Sequence, residues 1–117
     1  MLAMHEMSIM LSVWNSIEEE FALQKYSKLH NVELEIGEFL GVVDESLEVC
    51  WESIIMEKPF ARGASLKIVK IQSLVKCDLC GNTWDFQASL YLCPICGVAH
   101  STIITGKGIE IVGMDVD

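Results

Sequence analysis

Cys77-Asp-Leu-Cys80-Gly81 and Cys93-Pro-Ile-Cys96-Gly97 are two Cys-x-x-Cys pairs separated by residues 81–92. No other feature constrains the fold as much, because a loop of that length lets one hairpin carry four sulfurs to a single tetrahedral point. Zinc in a structural site takes four soft, deprotonated ligands in a closed shell, and each x-x turn presents two. The glycine after each pair relaxes the backbone so that nearby amides can turn toward the thiolates. Structural zinc is the leading reading. Iron in the same four-sulfur shell and a redox dithiol are the weaker ones. A lobe of about thirty residues has too little core to fold alone, so the metal would supply its order.

The fifth cysteine, Cys50, lies on an apolar helical stripe far from the pairs and reads as a buried thiol packing like a small hydrophobe. His100 follows the last cysteine by four residues and reads as solvent-exposed or as a neighbour of the metal ligands. An odd count of five in 117 residues argues against a disulfide scaffold, as does a chain start without a basic leader. His5, Glu6 and Glu18 to Glu20 interrupt the apolar run short of the roughly 20 residues that a membrane span needs. The expectation is a reduced, cytoplasmic protein that engages no membrane.

Eight Lys and Arg against seventeen Asp and Glu give a formal charge of -9, which repels nucleic-acid phosphates. Four thiolates around one dication would take it to -11. The stretch Cys77 to Gly97 holds no Lys or Arg but carries Asp78 and Asp85. That weighs against the alternative a ribbon alone leaves open, a module of the transcription or translation apparatus. No Ser-His-Asp arrangement, phosphate loop or His-Glu-x-x-His helix is present, so no enzyme is expected. A mean hydropathy of +0.37 suggests that a partner covers some apolar surface.

Along the chain, Met7, Met10, Leu11, Trp14, Ile17 and Phe21 recur at helical spacing and predict a helix from about Glu6 to about Ser27. Its acidic cluster Glu18 to Glu20, ahead of Lys25 and Lys28, reads as a solvated face with charges ordered as helix pairing prefers. Val32, Leu34 and Ile36 alternate with Glu33 and Glu35, the period of a half-buried strand that Gly37 and Gly41 punctuate. Asp44 stands where the N-cap of a second helix is expected, and Leu47, Cys50, Trp51, Ile54 and Ile55 form that helix's stripe. Ser65 to Ile71, with Leu74 and Val75 as an extension, predicts a strand; Thr102 to Thr105 and Gly108 to Val112 predict two more. The fold class expected is α+β: two helices packed on a small mixed sheet of about three strands, with the four-cysteine ribbon inserted. Residues 1–73 plus 103–117 would form the α/β domain and 74–102 the ribbon lobe.

Met4-His5-Glu6 at the head of a long helix, a strand ending Ile36-Gly37-Glu38, a second helix headed by Asp44, then Cys-x-x-Cys, Cys-Pro-x-Cys-Gly and a terminal strand occur in that order. Together they resemble the HypA family of hydrogenase nickel-incorporation proteins over essentially the whole chain. The resemblance implies a metallochaperone that carries Ni(II) as cargo to the maturing [NiFe]-hydrogenase large subunit. Its implied partners are that subunit and a nickel-binding GTPase of the same pathway, with urease as a further conceivable client. It also implies nickel ligation by His5, completed by backbone nitrogens of Met4, His5 and Glu6, with Glu6 in support. Asp44 matches a position where some members supply a carboxylate; a plain helix cap explains it equally well. Imidazole and amide nitrogens in one plane suit Ni(II) better than Zn(II). Met1, Leu2 and Ala3 precede the motif, so with them in place the α-amine is not on Met4, and His5 and the amides remain as donors.

Overall fold

The computed structural model describes residues 4–117. The residues ahead of Met4 lie outside the described residues. Contacts divide the chain into two compact units: the chain up to Leu34 with Val42–Ile68 and Ile111–Asp117, and Glu35–Gly41 with Val69–Glu110.

In the first unit, helix α1 runs Met4–Gln24 and helix α2 runs Asp44–Ile55. Helix α1 stops short of the expected Ser27 because Lys25 turns into the left-handed region at φ 57°, a conformation that ends helices. Met10, Val13, Trp14 and Ile17 bury its inner face, while Leu11, expected there, is 51% exposed. Val13 fills the stripe instead. Leu47, Cys50, Trp51 and Ile55 of α2 are buried opposite, and the Trp14 and Trp51 rings stack with centroids 5.0 Å apart. Trp51 Nε1 donates to Ala64 O at 3.0 Å, which ties α2 to the following loop. The charges of α1 pair differently from the helix-face expectation: Glu18 meets Lys58 at 3.1 Å, and Lys28 Nζ donates to Arg62 O. None of Glu18, Glu19 and Glu20 has a Lys or Arg three or four residues further along the helix, so pairing falls to tertiary neighbours.

Strand β1 (Leu29–Gly37) shows the expected alternation, with Val32, Leu34 and Ile36 fully buried. With β2 (Ser65–Ile71) and the strand Ile109–Val116, here β6, it forms a three-stranded sheet in the order β2-β1-β6. Lys67 on β2 reaches Glu33 on β1 at 3.3 Å, an opposite-charge cross-strand pair.

The second unit carries a second three-stranded sheet, antiparallel, in the order β4-β3-β5: β3 is Leu74–Cys77, β4 Thr83–Asp85 and β5 Ser101–Thr105. A short helix, α3 (Phe86–Ser89), follows β4 and is capped by Asp85, whose side chain accepts from the Gln87 amide. Strand β3 pairs with β5 as far as Thr105. Neither β4 nor α3 was expected from the sequence. The expected fold class holds: α+β, with the four cysteines clustered on the second sheet and its loops. Among the described residues no helix is long and apolar enough to cross a membrane.

Candidate metal centre

The two cysteine pairs form matching turns. Cys77 N–H donates to Asn82 O at 2.8 Å and Gly81 N–H to Cys77 O at 3.0 Å; Cys93 N–H donates to Val98 O at 3.0 Å and Gly97 N–H to Cys93 O at 2.8 Å. Gly81 and Gly97 occupy φ 77° and 72°, which only glycine adopts without strain. The first cysteine of each turn, Cys77 or Cys93, is buried and the second, Cys80 or Cys96, is exposed. Val75 and Trp84 pack beside the two buried cysteines and form a small core for the lobe.

The four sulfurs lie within 4.8 Å of one another, with Cys80 and Cys93 3.7 Å apart. A tetrahedron of Zn–S bonds of about 2.3 Å has sulfur–sulfur edges of about 3.8 Å, so the donor set fits a four-thiolate dication. The Cys96 amide points at Cys93 Sγ from 3.3 Å, a contact that stabilises thiolate character. Burial opposes ionisation of Cys93, but this amide, that of Ile95 and its sulfur neighbours win and lower its pKa to about 7. Cys96 moves the other way, to about 12, chiefly through its hydrogen bond to Cys80, then burial and Cys77. Four crowded thiols cannot ionise independently, whereas a central dication favours all four thiolates at once. His100 is exposed. Cys50 is fully buried; burial first, then the charge of Glu6, raises its pKa, as an inert core thiol requires.

At the other sequence-marked region, Met4, His5 and Glu6 form the first turn of α1. The His5 side chain is 57% exposed, whereas Glu6 is almost fully buried. His5 Nε2 stands 3.1 Å from Glu6 Oε2, close enough for charge pairing but without hydrogen-bond geometry. The structure thus brings His5 and Glu6 together. Asp44 is not the N-cap of α2 but its first helical residue; Val43 takes the cap position and offers no side-chain bond. A carboxylate at that place still favours the helix dipole.

A polar knot that the sequence did not mark braces the second unit. Ser73 Oγ donates to Gly106 O at 2.9 Å and accepts from the Phe39 amide at 3.1 Å, while the Ser73 amide donates to Glu38 Oε1 at 3.1 Å. Gln72 Nε2 donates to Asp85 Oδ2 at 2.8 Å. A side-chain interaction with Asp85 foremost raises the Glu38 pKa, and the Gln87 amide foremost lowers that of Asp85. The Asp85-x-Gln87 cap had a local signature, but a lone buried serine has none.

Residues 4–116 match the family model described as hydrogenase/urease nickel incorporation, metallochaperone, hypA. Among curated proteins, the chain is 32% identical over 114 residues to the hydrogenase maturation factor HypA of Dehalococcoides mccartyi strain BAV1, covering 97% of this chain and 95% of that one. It is 31% identical over 114 residues to that of Chlorobaculum parvum, covering 97% and 100%. Among solved structures, the fold is similar to the solution structure of the Ni metallochaperone HypA from Helicobacter pylori, with a TM-score of 0.72, 20% identity and coverage of 95% and 96%. A nearly full-length match of this kind displaces the reading as a transcription or translation ribbon.

Proposed function

Because the chain belongs to the HypA family of nickel-incorporation metallochaperones, maturation factors rather than catalytic enzymes, we propose that it binds Ni(II) at its N-terminal region and delivers it to [NiFe]-hydrogenase. The observation that carries the site is the His5 imidazole, exposed at the start of α1 with the Glu6 carboxylate 3.1 Å away. In this reading His5 is the principal ligand, the backbone nitrogens of Met4, His5 and Glu6 complete a planar set, and Asp44 is at most an auxiliary carboxylate. Ni(II) accepts imidazole and amide nitrogen in a plane, which Zn(II) does not favour. A ligand at a chain end is readily handed on.

Cys77, Cys80, Cys93 and Cys96 hold a structural zinc ion that orders the ribbon lobe, 74–102, while 1–73 with 103–117 carries the nickel. The partners are the hydrogenase large subunit and a nickel-binding GTPase of the pathway, which supplies the energy of transfer, and the setting is the cytoplasm. Isothermal titration of zinc-loaded protein with Ni(II) tests the site. Binding should be lost in His5→Ala and kept in His30→Ala and His100→Ala; undiminished binding by His5→Ala refutes the assignment.

A further inference from the structure

The outer face of α2 is unusual for a solvated helix. Glu45, Glu48, Val49, Glu52 and Met56 follow one another at spacings of one helix face, and all are exposed, Val49 to 52% and Met56 to 79%. No Lys or Arg occurs in α2, and none pairs with these three glutamates among the described residues. Glu45 with Glu48 and Glu48 with Glu52 are like-charge neighbours at i,i+3 and i,i+4, which weakens a helix that stands alone. The face also borders a groove of about 630 Å³ that reaches Leu66 on β2, an edge strand of its sheet. Apolar side chains left in water beside uncompensated carboxylates are what a cationic, apolar ligand would satisfy.

We propose that this groove is the docking site for a basic amphipathic segment of a partner protein, whose Lys or Arg side chains meet Glu45, Glu48 and Glu52 while its apolar side chains cover Val49 and Met56. Charge complementarity selects this occupant over a second copy of the chain, since two such faces would oppose carboxylate to carboxylate at a protein charge of -9. The inference stands independently of where nickel binds.

The test titrates isotope-labelled, zinc-loaded full-length protein with a synthetic amphipathic peptide bearing one Lys face and one Leu face, reading amide shifts and calorimetric affinity. Shifts should concentrate on α2 and the start of β2. A Glu48→Lys, Glu52→Lys double variant should weaken binding roughly tenfold or more, and Met56→Ser, which leaves the charge unchanged, should weaken it severalfold. Glu19→Lys with Glu20→Lys on α1 makes the same change in net charge and should leave affinity within about twofold. Equal losses in the two double variants, shifts centred on α1, or no effect of Met56→Ser would overturn the site. A concentration-dependent dimer abolished by Met56→Lys would instead give the face to a second copy and overturn the proposal as well.

Discussion

Gly37 is where β1 passes closest to another backbone. A Cβ built there would lie 1.9 Å from Gly106 O and 2.6 Å from Gly106 C, against the 3.4 Å and more of ordinary contact, and both neighbours are main-chain atoms that cannot rotate aside. Gly37→Ala therefore forces the 106–108 loop away by more than an ångström. That displacement stretches the 2.8 Å bond from Gly37 N–H to Gly108 O and the 2.9 Å bond from Ser73 Oγ to Gly106 O. Overpacking of about 1–3 kcal/mol, with one or two hydrogen bonds of about 1 kcal/mol each, gives a loss of about 2–5 kcal/mol. Urea unfolding of the metal-loaded protein, followed by circular dichroism, measures it. Gly113→Ala is the control, because its Cβ meets nothing nearer than Glu33 Cβ at 3.9 Å and β6 should tolerate it within about 1 kcal/mol. A Gly37→Ala protein as stable as that control would show the close approach to be wrong.

Three further outcomes follow from the same geometry. Glu38, with its pKa raised, favours folding below its ordinary 4.5, and that contribution is lost as pH rises through the raised value; Asp85, lowered, contributes above 3.8 and loses it as pH falls through its lowered value. Asp85→Asn should therefore flatten the loss of stability on the rising side, read as urea midpoints across the weakly acidic range, and an unchanged slope would count against the effect of Asp85 on Glu38. Trp51→Phe leaves Ala64 O buried without its donor and should cost about 1–3 kcal/mol by denaturant midpoint, more than a surface change would. Stripping metal with a strong chelator should red-shift Trp84 emission, since this ring packs against the cysteine core and donates to Leu90 O, while a Trp84→Phe protein should show little change.

The legible parts of the fold were those written as a local period or a ligand pattern. The alternation of Val32, Leu34 and Ile36 marked β1, and the two cysteine pairs announced a cluster that the sulfur geometry bears out. Ser65 to Ile71 was legible as a strand from composition although Val69 breaks its alternation. What stayed hidden depends on contacts across the chain. Strand β4 has three residues, too few to show a period, and exists because Val75 and Lys76 pair with Trp84 and Thr83. Leu11 fits the helical period of α1 as well as Val13 does, and only the position of α2 decides which is buried. Asp44 missed the cap position by one residue because Val43, in extended conformation, precedes the first turn. Glu18 has no basic residue three or four positions away along α1, and its partner is Lys58, forty residues on.

The start of α1 sets a condition on how nickel could be held there. Successive amides in a helix turn by about 100° and rise about 1.5 Å, all pointing along the axis, so those of Met4, His5 and Glu6 cannot lie in one plane around an ion. A site using them must unwind the first turn. For Met4 and His5 this is cheap, because amides of the first turn have no acceptor within the helix. Glu6 resists, since its side chain is buried and its carboxylate charge reaches Cys50 on α2. Packing of the first unit therefore works against full amide ligation, which in the proposed site would limit affinity and favour release to a partner. Nickel added to labelled protein should erase the helical shifts of residues 4–7 while leaving those of Trp14 and Ile17 in place. If the first turn stays helical with nickel bound, the amides are not ligands, and His5 holds the ion with side-chain donors alone.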